Sequence, residues 1–106
     1  MKISIEEFWK IPLKQNNEIY EVENYGTIYY VNGKVHREDG PACDYINGDK
    51  CWFFNGKYRR LDGPAIEKNN GKKFYYIEGK PYSTKEEFDK AVCSYYMYKN
   101  GLQDYL

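Results

Sequence analysis

The run Val31-Asn32-Gly33-Lys34-Val35-His36-Arg37-Glu38-Asp39-Gly40-Pro41-Ala42 returns 23 residues later as Phe54-Asn55-Gly56-Lys57-Tyr58-Arg59-Arg60-Leu61-Asp62-Gly63-Pro64-Ala65. Of the 22 positions from Tyr29 to Lys50, 11 are identical to their counterparts 23 residues on. A third copy opens at Tyr75-Tyr76-Ile77-Glu78-Gly79-Lys80 and breaks off. A period of this length marks a small supersecondary unit that cannot bury its apolar side alone and stacks on its neighbours. It constrains architecture strongly and activity weakly.

Each unit reads as paired strands. Glu18 to Glu23 alternates charged and apolar residues, the period-2 pattern of a half-buried strand. Asn24-Tyr25-Gly26 is a turn and Thr27 to Val31 the next strand. Asn32-Gly33 predicts a tight hairpin, because a type I′ turn needs positive φ at both central residues. Lys34 to Arg37 pairs back, and Asp39-Gly40-Pro41 breaks the strand. Ala42 to Ile46 and Lys50 to Phe54 flank a turn at Asn47-Gly48, and the second copy repeats this through Asn70-Gly71 and Lys73 to Ile77.

Helices are expected at both ends. Ser4 and Glu7 fit a capping box. Ile5, Phe8 and Trp9 share one face of that helix, which predicts a largely buried Trp9, and Pro12 stops it. Ser83…Glu86 or Thr84…Glu87 starts the second helix. Phe88, Ala91, Val92 and Tyr95 form its apolar face, and Asn100-Gly101 fits its end. The expected fold is mainly β (α+β): an open twisted antiparallel meander of repeated hairpins, capped by a short N-terminal helix and a C-terminal helix. It is one domain of 106 residues: a helical cap over 1–17, hairpin repeats over 18–82, helix and tail over 83–106.

Alternation places Ile28, Cys51 and Phe74, then Tyr30, Phe53 and Tyr76, on one face of the sheet. Tyr29, Trp52 and Tyr75, then Val31, Phe54 and Ile77, fall on the other. Both faces are apolar, whereas a water-facing side is normally polar. The C-terminal helix covers one face; the N-terminal segment, sheet curvature, a second copy or a partner must cover the other. Large rings left exposed mark an interaction site.

The repeat resembles the MORN repeat, which runs aromatic-x-x-Gly-Lys-x-(His/Arg)-x-x-Gly before a second strand and a Gly turn. The matching residues are Tyr30, Gly33, Lys34, His36, Gly40 and Gly48, then Phe53, Gly56, Lys57, Arg59, Gly63 and Gly71. The resemblance covers roughly residues 19–82. It is closer still to a phage and large-virus variant with tandem Asn-Gly-Lys-x-His-Arg-x-Asp-Gly-Pro-Ala units, which often end in a short acidic-capped helix, as Ser83–Phe88 does here. It implies stacked hairpins. Gly-Pro-Ala replaces the usual Gly-x-Gly, and the lipid-binding role proposed for MORN proteins is not carried over.

Chemistry is sparse. Sixteen basic and sixteen acidic side chains cancel, which argues against a large non-specific nucleic-acid footprint. Residues 29–82 carry 10 basic and 7 acidic groups, a mild excess of +3. His36-Arg37-Glu38-Asp39 invites an acid–base role. Its copy has Arg59 for His36 and Leu61 for Glu38, and what recurs, Arg37/Arg60 and Asp39/Asp62, reads as turn scaffolding and a surface ion pair. No catalytic, metal or cofactor site is expected. Cys43, Cys51 and Cys93 have no metal-ligand spacing and read as reduced cytosolic thiols. Across a two-residue Asn47-Gly48 turn, Cys43 and Cys51 come out near each other but not opposed. The start has no apolar signal core, and no run is long enough to span a membrane. Lysine outnumbers arginine 13 to 3, a bias pointing to an AT-rich genome, such as that of a low-GC bacterium or its phage.

These readings converge on a non-catalytic phage-type protein of the host cytoplasm that binds a macromolecule through an aromatic, mildly basic surface. The expected partner is a host protein or ribonucleoprotein complex, with inhibition of a bacterial defence complex in the manner of an anti-CRISPR protein as the concrete form. The candidate contact residues are Tyr29, His36, Arg37, Tyr58, Arg59 and Arg60. A nucleotide or single-stranded nucleic-acid binder and a self-associating virion module, with a homodimer, are the alternatives.

Overall fold

Backbone pairing across residues 18–82 follows from the turn chemistry. The computed structural model describes residues 1–11 and 17–99. At the hairpin tips Asn32 and Gly33 have φ of 51° and 77°, Asn55 and Gly56 50° and 79°, and Glu78 and Gly79 51° and 80°. These are the left-handed values a type I′ turn requires.

The strands are β1 (Lys2–Ile3), β2 (Glu18–Val22), β3 (Gly26–Val31), β4 (Lys34–Val35), β5 (Cys43–Tyr45), β6 (Lys50–Cys51), β7 (Phe53–Phe54), β8 (Lys57–Tyr58), β9 (Ile66–Glu67), β10 (Lys73–Ile77) and β11 (Lys80–Tyr82). The helices are α1 (Ile5–Lys10) and α2 (Lys85–Lys99). The main sheet runs β1-β2-β3-β5-β6-β9-β10-β11, with β4 paired to β3, and β7-β8 form a separate ribbon. The molecule is thin, 51 × 31 × 18 Å. None of the described helices is long and apolar enough to cross a membrane.

The chain is mainly β with two helices, but the sheet is mixed rather than antiparallel throughout. Lys2 and Ile3 run parallel to β2, with Glu21 N–H donating to Met1 O (2.7 Å) and Glu23 N–H to Ile3 O (2.8 Å). A two-residue strand is too short to show a period, so nothing in the residue pattern announced it. The expected return strand Lys50 to Phe54 splits at Trp52. That residue donates its N–H to Ala65 O (2.7 Å) and accepts Arg59 N–H (3.1 Å), handing the chain from the main sheet to the ribbon.

The three-residue loop at Ile46-Asn47-Gly48 corrects the expected cysteine register. Gly48 N–H bonds Tyr45 O, Tyr45 N–H bonds Asp49 O, and Gly48 takes φ 97°. One more loop residue than a two-residue turn shifts the pairing, so Cys43 stands directly opposite Cys51. Both thiols are buried and free. Burial pushes the Cys43 thiol up to about 11, which leaves it unreactive. Ala42 N–H also bonds Cys51 O (2.8 Å), so two residues face one, the geometry of a β-bulge. Ala65 N–H bonds Phe74 O (2.9 Å) beside the Ile66–Phe74 pair in the same way. Ala42 and Ala65 are both 0% exposed, so the bulges have no room for a larger side chain.

One row of partnered residues crosses the sheet: Tyr20, Ile28, Cys43, Cys51, Ile66 and Phe74. Phe8 of α1 lies edge-on to Tyr20, with centroids 5.6 Å apart, and tilted against Tyr30. Burying a ring of this size contributes about 2–3 kcal/mol. At the far end of the row Phe74 is 43% exposed. The capping box on α1 is present as expected, but Trp9 is 66% exposed rather than buried. Successive helix residues point about 100° apart, so a six-residue helix that turns Phe8 inward turns Trp9 out. The helix ends at Lys10 with Ile11 extended. The expected stops at Pro12 and at Asn100-Gly101 lie outside the described residues.

On the opposite face α2 packs against β10 and β11. Thr84, not Ser83, accepts the Glu87 N–H at its start (3.1 Å), and Phe88 lies on Tyr75 with centroids 4.7 Å apart.

Candidate partner-binding surface

The Arg-x-Asp-Gly-Pro-Ala turns build the floor of this surface. Arg37 Nε donates to Asp39 Oδ1 (2.9 Å) and Nη1 to Pro41 O (3.2 Å), while its guanidinium lies 4.2 Å from the Tyr29 ring centroid. Arg60 does the same with Asp62 (2.9 Å), Pro64 O (3.1 Å) and the Trp52 ring (3.9 Å), and adds Glu67 at 2.8 Å. A Cβ on Gly40 or Gly63 would stand 2.9 Å from the arginine Cζ. Each guanidinium is thus held between a ring and a bare glycine, which explains why glycine follows the aspartate.

His36 and Arg59 occupy equivalent places and behave differently. His36 is 8% exposed, and its Nδ1 accepts the Asn55 N–H (2.9 Å), which assigns the ring proton to Nε2 when the ring is neutral. Its ring lies 4.5 Å from that of Phe54, and Nε2 is 3.7 Å from Glu38. Arg59 covers Phe54 at 4.1 Å and donates to Tyr95 Oη (2.7 Å), tying the second hairpin unit to α2. Its Nε sits 3.1 Å from Glu78 Oε1 without a hydrogen bond, an ion pair by proximity alone.

Five of the six candidate residues share one side of the sheet. Arg37, Arg59 and Arg60 line an open groove of about 580 Å³ together with Trp52, Phe54 and Tyr96. Tyr29, His36 and Arg37 line a neighbouring depression of about 880 Å³ with Ile19 and Val31. Tyr58 lies apart, stacked between Phe53 (4.3 Å) and Tyr76 (5.0 Å) on the α1 side. Desolvation there raises the pKa of the Tyr58 hydroxyl.

Trp52, Phe54 and Tyr96 were not among the candidates. The first two carried a signal, since rings recur 23 residues apart at those places. Tyr96 sits one residue past the helix face marked by Phe88, Ala91, Val92 and Tyr95, and nothing in the pattern singles it out. Among the described residues no group of three or more His, Cys, Asp and Glu side chains is placed to hold a metal ion. No protein-family model matches the chain, and neither the curated proteins nor the solved structures yield a match.

Proposed function

We propose that this chain is a non-catalytic, MORN-like hairpin-repeat protein of phage type that works in the host cytoplasm. It inhibits a bacterial defence complex, as anti-CRISPR proteins do, by binding one of its protein components. Its architecture in this reading is an open twisted meander of stacked hairpins closed by a helix at each end. Backbone bonds that recur at the 23-residue spacing support that: Arg37 N–H to Phe53 O and Arg60 N–H to Tyr76 O, or Gly56 N–H to Val35 O and Gly79 N–H to Tyr58 O.

The observation that carries the protein-contact reading is the internal neutralisation of the groove. Arg37 pairs with Asp39, Arg59 with Glu78, and Arg60 with both Asp62 and Glu67. Cations already paired within the chain have little to offer a polyanion, whose binding rests on releasing counterions. Fixed guanidiniums beside Trp52, Phe54 and the half-exposed Tyr96 instead form a rigid aromatic surface, the kind that concentrates binding energy between proteins.

Affinity capture from a low-GC bacterial lysate treated with nuclease, read by mass spectrometry, tests this. The expected result is a component of a defence complex, with capture weakened roughly tenfold by Tyr96→Ala. Retention of RNA or oligonucleotides with a steep salt dependence, and no stable protein partner, overturns it in favour of the nucleic-acid reading.

A further inference from the structure

On the α1 side, beyond the reach of Phe8, lies an open groove of about 470 Å³ whose apolar wall is Tyr25, Tyr45, Cys51, Tyr58 and Ile66. Ile46 stands on its rim and is 72% exposed. It occupies the first position of the three-residue loop, and the same position in the second unit is Asn69. A polar residue is what such a loop tip ordinarily carries, and no contact within the chain accounts for a β-branched apolar one.

The loop that presents Ile46 is also held rigidly. Ile46 N–H donates to Tyr25 O (2.9 Å), and Asn47 Oδ1 accepts the Asp49 N–H (2.9 Å). Asp49 Oδ1 accepts the Asn69 N–H (2.8 Å), and Asn69 Nδ2 donates to Asn47 O (2.7 Å). The rim carries both signs of charge, Asp49 and Lys68, 3.5 Å apart.

We propose that this groove receives Ile46 from a second copy of the same chain, so that two chains associate about a two-fold axis, each inserting its Ile46 beside the partner's tyrosines. A knob and a groove side by side on one surface satisfy the self-complementarity that a closed two-fold contact demands. A rim that pairs Asp49 with Lys68 is self-complementary as well, because rotation sets the acid of one copy against the base of the other. The pre-ordered loop lowers the entropic cost of docking. The association leaves the Trp52–Tyr96 groove on the opposite face free and does not rest on the function proposed for it.

Sedimentation equilibrium of the full chain from about 1 μM to about 1 mM tests the idea. The expected mass rises with concentration toward twice the 12.7 kDa of one chain. Ile46→Asn, which copies the second unit's loop, shifts the association at least tenfold toward monomer without lowering the melting temperature. Ile19→Asn, on another exposed apolar side chain, leaves the association in place. Concentration-dependent amide shifts are expected at Ile46 to Gly48 and at Tyr25, Tyr45 and Tyr58. A monomer mass at every concentration overturns the proposal, and so does a dimer that Ile46→Asn fails to dissociate.

Discussion

The two 23-residue units share their turns and differ one residue earlier. Arg37 and Arg60 make the same bonds to an aspartate and to a proline carbonyl, over the ring eight residues back. His36 and Arg59, which precede them, point their units in different directions. His36 reaches forward to the next hairpin through Asn55, while Arg59 leaves the sheet for Tyr95 of α2. Identity between the copies therefore marks what folds each unit, and divergence marks what joins the unit to its own surroundings. Where the third unit runs out there is no arginine to lie on Tyr75, and Phe88 of α2 takes that place.

The largest expected effect comes from removing the shared element. Arg60→Ala should destabilise by about 2–3 kcal/mol and Arg37→Ala by about 1–2 kcal/mol, read from urea midpoints. The inequality follows from Glu67, which only Arg60 contacts, and from the larger ring of Trp52 beneath it. Lysine should restore little, since the planar fork is what fits between ring and glycine. Gly63→Ala should cost about 1 kcal/mol in the native background, because its Cβ displaces the guanidinium, and nothing once Arg60 is already alanine. A Gly63→Ala cost that persists without Arg60 would show that the glycine serves the backbone and not the arginine.

The hairpins were legible because their signals are local. Asn-Gly dipeptides, period-2 alternation and a capping box at Ser4 each act over a few residues. What escaped depends on the neighbours. One extra loop residue at Ile46 set Cys43 against Cys51, a register that the Asn47-Gly48 dipeptide alone does not determine. Trp9 and Phe8 compete for one inward position, and only the placement of α1 over Tyr20 decides between them. The puzzle of two apolar faces had an answer that the alternation pattern does not contain. Arginines folded back over Tyr29 and Trp52 shield one face, and α1 buries one end of the other. For the surface, the charged candidates were found because they stood out by type, while Tyr96 was missed because helix geometry alone brings it to the groove.

A smaller effect is expected from exchanging the divergent pair. An arginine at position 36 has donors only and cannot accept the Asn55 N–H. His36→Arg should therefore cost about 1–2 kcal/mol and speed hydrogen exchange at the Asn55 amide. Arg59→His should release Tyr95 and speed exchange along α2 while leaving Asn55 protected. If both substitutions disturbed the same amides, the two positions would be doing one job, and the contrast between the units would collapse.

The smallest expected effect is the acid response of the first unit's turn. The hydrogen bond from Arg37, reinforced by its charge, holds the Asp39 carboxyl below the ordinary carboxylate range. A carboxyl with a depressed native pKa binds fewer protons folded than unfolded, so it contributes stability above its unfolded pKa, near 3.9 for aspartate (roughly), and loses it as the pH falls through the native value. Asp49 shares the sign, held down first by the Asn69 N–H and then by Asn47 and Lys68. Urea midpoints should consequently decline on acidification below about pH 4, and Asp39→Asn should make that decline shallower. Because Asp39 is largely exposed, the change should be modest and should shrink further in high salt. An Asp39→Asn chain with an unaltered acid slope would mean that the Arg37 bridge shapes the turn without contributing to its stability, leaving the ring beneath as the source of the arginine's effect.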